Sequence, residues 1–256
     1  MSELYWLTET QVERLKPFFP KSRGKPRVDD RRVLSGIIFI QRNGLMWKHA
    51  PSAYGPPKTL YNRWKRWSRK GVFATIMTEL AAQAQQTETV MIDATHLKAH
   101  RTASSLAVKK GGAFADRGRL IGRTKGGLNS KLHVLADAKG RPIRMFLSAG
   151  QTSDYIGARA LLSSFPQAKA LLADRGYDAD WFRNGLIEMG ISPCIPSRIG
   201  RKVQIPHDAE LYRQRHKIEN MFARLKDWRR IATRYDRCLI LFLSACALAA
   251  TVIYWL

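Results

Sequence analysis

The chain has 256 residues, with 44 Lys and Arg against 20 Asp and Glu, and a formal net charge of +24. That length supports one large core or two modest ones, and that charge selects a polyanionic partner, because neutralising phosphates releases counterions. A disulfide frame and a zinc site are excluded as organising features. Cys194, Cys238 and Cys246 have no CxxC spacing and lie in apolar surroundings, as reduced thiols of a cytosolic protein do.

The first elements are helical. Thr8 and Gln11 fit a capping box for a helix over 8–18, with Pro17 and Pro20 at its end. Asp29 or Asp30 caps a second helix that stops near Asn43-Gly44. Thr59 caps a third, Leu60 to Lys70, closed by Gly71, and a fourth runs from Val72 to Gln86. In the third helix Trp64 and Trp67 face a core with Leu60. Tyr61, Asn62, Arg63, Lys65, Arg66 and Arg69 then face outward. A basic helix after a turn fits a helix-turn-helix recognition element, with Lys58, Tyr61, Arg63 and Arg66 as expected DNA contacts. Residues 1–86 form the expected helical DNA-binding domain, and 87–256 a second domain.

The period changes after Gln86. Thr89-Val-Met-Ile-Asp93 is a short apolar run ending in an acid. Leu128 to Ala136 and Pro142 to Leu147 are further strands. Residues 155–165 read as helix, Ala170-Leu-Leu-Ala-Asp174 as a buried strand ending in an acid, 178–189 as helix, Ile191 to Ile195 as strand and 208–230 as helix. The order is βββαβαβα. Residues 101–127, rich in Gly, Lys and Arg, read as a long mobile basic loop. From Cys238 to Leu256 no residue is charged, which reaches the length of a membrane span, but its middle is only mildly apolar, and a helix buried on all sides is expected. The polar N-terminus predicts no secretory signal.

Three acids carry the chemistry. Asp93 and Asp174 each close an apolar strand, where a charge is costly unless paired or bound to metal. Glu219 lies in a helical stripe with Tyr212, Arg215 and Lys226, all on one face at 3.6 residues per turn. Each acid alone has a plain structural explanation, as a turn, a cap or a surface ion pair. Together, three carboxylates from separate elements suit hard divalent cations, and two such ions can activate water and stabilise the leaving oxygen of a phosphodiester. Asp178 reads as a helix cap.

The joint pattern resembles the DDE triad of bacterial insertion-sequence transposases. Tyr212, Arg215, Glu219 and Lys226 match the Tyr-Arg-Glu-Lys signature of their largest groups. Asp174-Arg-Gly-Tyr-Asp178 and Gly126-Gly-Leu-Asn-Ser-Lys-Leu-His133 are similar to the insertion sequence five group. In the N-terminal part, Asn43-Gly-Leu-Met-Trp47, Tyr54-Gly-Pro56 and Tyr61-Asn-Arg-Trp64 also look like that group. One departure is Lys48, where an Arg is usual.

The resemblance implies a ribonuclease H-like α/β catalytic core, a mixed sheet flanked by helices, preceded by the small helical domain. It implies a transposase that binds terminal inverted repeats and cleaves and transfers DNA strands. Asp93, Asp174 and Glu219 would hold two Mg2+ or Mn2+ ions per site, Asp93 bridging both. Tyr212, Arg215 and Lys226 would grip phosphates, with His96 and Arg175 behind the ligands. The expected partners are transposon-end duplex and target DNA, with a homodimer or higher oligomer and no membrane. The expected setting is the bacterial cytoplasm at the nucleoid. The rival expectation is a DNA-binding repressor or a catalytically inactive relative.

Overall fold

A computed structural model of the protein describes residues 3–21, 28–84, 88–104 and 119–256. Helix α1 (Glu9–Leu15) starts in the expected capping box. Thr8 Oγ1 accepts from Gln11 N at 3.2 Å, and Gln11 Oε1 accepts from Thr8 N at 2.9 Å. Helix α2 (Asp30–Asn43) is capped by Asp29 and ends at Gly44, whose φ of 73° suits glycine. Helix α3 (Pro57–Arg69) departs from expectation. It begins on Pro57, whose fixed φ and missing N–H suit a first turn, so Thr59 sits inside the helix and caps nothing. Helix α4 (Val72–Gln83) stops short of the expected Gln86.

The sheet follows. Its strands are β1 (Thr89–Ala99), β2 (Gly122–Thr124), β3 (Gly127–Asp137), β4 (Pro142–Ala149), β5 (Ala170–Leu172), β6 (Ser192–Cys194) and β7 (Thr233–Arg234). Helices α5 (Arg101–Ser104), α6 (Asp154–Leu162), α7 (Asp180–Glu188), α8 (Ala209–Arg213), α9 (His216–Lys226), α10 (Arg229–Ala232) and α11 (Leu239–Ala250) complete the chain. Strand β3 pairs antiparallel with β1, β2 and β4. Strand β1 pairs in parallel with β5 and, farther along, with β7, and β5 with β6. The expected βββαβαβα order therefore stands, with short additions. Two expectations are corrected. The 101–127 segment contains α5 and β2, and its residues 105–118 lie outside the described residues. The single helix expected over 208–230 is three, because the chain tightens at Gln214-Arg215 and again at Asp227-Trp228.

Alternation along β1 sends side chains to opposite faces. Val90 and Ile92 join Leu171, Ala173, Phe182 and Leu186 in a core covered by α6 and α7. Met91 and Leu97 join a larger core on the other face. That core runs without interruption from Leu7 through the Trp64 and Trp67 of α3 to Phe222 and Trp255, so the N-terminal helices and the sheet share it.

Helix α11 is what joins them. It is apolar all round, and it packs against α2, α3 and α4 as well as β4 and α9. Each fully buried side chain such as Phe242 contributes about 1.5–3 kcal/mol. A π-helical turn over Thr251–Trp255 ends it, and Trp255 Nε1 donates to Pro142 O at 3.1 Å. The expectation of a buried terminal helix is met, and no helix among the described residues is long and apolar enough to cross a membrane. Arg230 adds a polar tie, donating to Leu45 O at 2.8 Å. Cys194 and Cys246 are buried, Cys238 is half-buried, and all three are free thiols.

Candidate active site

The strand register assembles the first two acids. Thr89, Val90 and Met91 of β1 lie beside Ala170, Leu171 and Leu172 of β5. Carried two residues further, the parallel register sets Asp93 beside Asp174, where β5 has ended and the chain turns away. Asp174 accepts from Gly176 N at 2.9 Å and so starts that turn. A Cβ at Gly176 would meet Asp174 Oδ1 at 2.8 Å, so a larger residue there would move that carboxylate.

Helix α9 brings the third. Asp93 and Thr95 share the sheet face of Met91, the face that α9 covers. Arg215 Nη1 donates to Asp93 Oδ2 at 2.8 Å, and Arg215 Nη2 pairs with Glu219 Oε1 at 2.9 Å. Arg215 Nε donates to Tyr212 Oη at 3.3 Å. Lys226 Nζ donates to Thr95 Oγ1 at 2.7 Å. The Tyr-Arg-Glu-Lys stripe thus lies against the strand that carries Asp93, and the guanidinium of Arg215 stands between Asp93 and Glu219.

Burial pushes the Asp93 carboxyl up to about 6. Arg215 and the Ala94 N–H oppose that rise, and the negative charge of Asp174 adds to it. Tyr177, in the turn after Asp174, has a buried hydroxyl with no hydrogen-bond partner among the described residues. Its pKa is raised well above the ordinary tyrosine value by burial and by Asp154, Asp93 and Asp174. Sequence reasoning assigned Tyr177 nothing. Its place one residue before Asp178 and three after Asp174 is the available signal.

The donor set fits a hard divalent cation. All three acids offer oxygen, and the strain on Asp93, a buried carboxylate beside a second one, is of the kind a cation relieves. Among the described residues no group of three His, Cys, Asp or Glu side chains stands ready to hold a metal ion. Asp93 and Asp174 are neighbours, but Glu219 reaches Asp93 only through Arg215.

Other expected residues land differently. Arg63 is buried and ion-paired with Asp30, with its guanidinium over the Trp67 ring, so it does not face outward. An aromatic surface beside an acid drew it inward. Lys58 and Arg66 are exposed on α3, whereas Tyr61 is half-buried against Trp47. His96 is an odd number of residues from Asp93 and so lies on the opposite sheet face, where Nε2 meets Gly150 O at 3.0 Å. It does not stand behind Asp93. Arg175 is exposed on the turn, with no side-chain contact to the acids among the described residues. Asp178 is not a helix cap. It is fully buried and accepts from Arg183 Nε at 2.8 Å, Arg201 Nε at 2.9 Å and Arg198 N at 2.8 Å. Burial alone would raise its pKa, but those donors hold it at about 2.

The chain matches the family model described as "Transposase DDE domain" over residues 84–251. It also matches "Putative transposase of IS4/5 family" over residues 7–77. It is 34% identical over 129 residues to a Brucella ovis protein named "Putative transposase for insertion sequence element IS6501", covering 50% of this chain and 98% of that one. A Burkholderia cepacia protein, "Putative transposase for insertion sequence element IS402", is 29% identical over 163 residues, covering 56% and 75%. Among solved structures, the piggyBac transposase synaptic complex with hairpin DNA superposes with a TM-score of 0.50 at 8% identity, covering 94% of this chain and 68% of that one. At that identity the likeness speaks for the fold alone, a ribonuclease H-like core. The chain belongs to the DDE transposases of insertion sequences, enzymes that cut and join DNA with the help of divalent metal.

Proposed function

We propose that Asp93, Asp174 and Glu219 are the catalytic carboxylates of this transposase, that they hold two Mg2+ or Mn2+ ions, and that they act at the terminal inverted repeats of its element. When bound, the ions supply Lewis-acid stabilisation of the oxygens that attack and leave. The chain's own residues supply placement. The β1–β5 register fixes Asp93 against Asp174, and α9 delivers Glu219 to the same face. Lys226 and Tyr212 border the acids and hold the backbone on either side of the scissile phosphate, Lys226 as a point charge and Arg215 as a planar fork. Water attacks the phosphodiester at the element's end and frees a 3′ hydroxyl, which attacks the target strand. Lys58 and Arg66, exposed on α3, read the duplex farther from the cut. Two ends must be cut in concert, so the working form is a homodimer or larger, acting on chromosomal DNA in the bacterial cytoplasm. The Asp174-Arg-Gly-Tyr-Asp178 and Gly126–His133 segments favour the insertion sequence five group.

The observation that carries this reading is the Asp93–Arg215–Glu219 bridge, which draws two acids 126 positions apart to one point next to Asp174. The test is incubation of terminal-repeat duplex with Mg2+. Nicks at the element's ends, absent in Asp93→Ala, support the reading. Sequence-specific binding without nicks would assign the chain to the repressor or inactive relative instead.

A further inference from the structure

We infer that Arg215 is an internal counter-cation that keeps Asp93 and Glu219 occupied in the DNA-free protein, and that the DNA backbone draws it off, so that metal binding at these acids is coupled to DNA binding. This rests on the catalytic reading of the three carboxylates.

The geometry is specific. One guanidinium gives Nη1 to Asp93 at 2.8 Å, Nη2 to Glu219 at 2.9 Å and Nε to Tyr212 at 3.3 Å. A metal ion and a guanidinium on the same two carboxylates repel each other, so each excludes the other. The two acids differ in freedom. The Asp93 side chain is 15% exposed and Glu219 57%, so Glu219 is the partner able to swing. A trigger lies alongside. Lys226 has only the neutral Thr95 hydroxyl as partner among the described contacts, which leaves its charge for a phosphate. A backbone gripped by Lys226 and Tyr212 passes Arg215, whose fork matches phosphate as well as carboxylate. Exchange of carboxylate for phosphate releases both acids together. A transposase built this way loads metal on DNA and is poorly loaded away from it.

The test uses the full chain and reads binding. Free Mn2+ is followed by electron paramagnetic resonance in DNA-free wild type, Arg215→Gln, Arg215→Lys and Asp93→Asn, each checked for folding by its thermal melt. Arg215→Gln is expected to bind Mn2+ about tenfold more tightly than wild type, within the usual range for coupled sites. Arg215→Lys keeps the charge but cannot bridge two carboxylates, and it is expected to move in the same direction. Reciprocity supplies a second readout. Ca2+ should tighten wild-type binding to labelled terminal-repeat duplex, at matched ionic strength, and this gain should shrink in both Arg215 variants. Arg215→Gln binding Mn2+ no more tightly than wild type overturns the inference. So does an undiminished Ca2+ gain, or Arg215→Lys behaving as wild type, which would reduce Arg215 to a general charge. Asp93→Asn marks the other failure. If, placed in the Arg215→Gln chain, it leaves Mn2+ binding unchanged, the catalytic reading falls, whereas if it abolishes that binding, that reading stands and only the counter-cation role is judged by the Arg215 variants.

Discussion

Asp93 and Asp178 are both withdrawn from water, yet their carboxyls are shifted in opposite directions, Asp93 up to about 6 and Asp178 down to about 2. The difference is in the neighbours. Asp178 is met by three donors from Arg183, Arg201 and the Arg198 N–H, which join α7 to the chain before α8. Asp93 has one cation, one backbone N–H and a second carboxylate beside it. A carboxylate whose lone pairs are filled by donors holds structure together. One left short of donors and crowded by its own sign is held ready for a further cation.

The largest expected effect separates these roles. Asp93→Asn should lower end cleavage by about 10³-fold or more, as loss of a core catalytic group does, while the thermal melt stays level or rises. Asp178→Asn should do the reverse. It strands Arg183 in the interior, and loss of one partner of a buried pair costs about 3–5 kcal/mol. Urea melts would show this, and a variant as stable as wild type would remove the distinction.

The pH dependence carries opposite signs. Asp93 has a raised folded value, so its favourable contribution is complete below the usual carboxylate range and is lost as pH rises through about 6. Asp178 has a lowered folded value, so its contribution is present above the usual range and is lost as pH falls towards about 2. Stability relative to Asp93→Asn should therefore fall between about pH 4 and 6, and relative to Asp178→Asn between about pH 4 and 2. The smallest effects lie on the DNA side. Lys226→Gln should weaken duplex binding and reduce the slope of log affinity against log salt by about one. Arg66→Ala should leave stability within about 0.5 kcal/mol, being exposed on α3.

Much of this site was readable in the sequence, for local reasons. Asp93 and Asp174 end apolar runs, and a charge at such a place announces either a turn or a ligand. Helical period accounts for Glu219 and Lys226 on α9, whereas Tyr212 lies on α8 and Arg215 at the break between the two helices. What the sequence hid depends on tertiary partners. Arg63 looks outward by helical phase and turns inward because Asp30 and Trp67 are there. His96 follows Asp93 closely in the chain, but β1 continues past Asp93 as strand, and alternation puts it on the far face. Asp178 reads as a cap in the sequence because its three donors lie 5 to 23 residues away. The joined core was hidden too. An uncharged tail predicts a buried helix, but not that α11 would bind the N-terminal helices to the sheet.

The central claim, that Asp93, Asp174 and Glu219 meet around divalent ions on DNA, is tested most directly by replacing those ions with Fe2+ in the end-bound complex and mapping where hydroxyl radicals cut the polypeptide. The account predicts cuts beside positions 93, 174 and 219, suppressed by excess Mg2+ and missing in Asp93→Asn. Cuts confined to other segments, or unchanged in that variant, would contradict it.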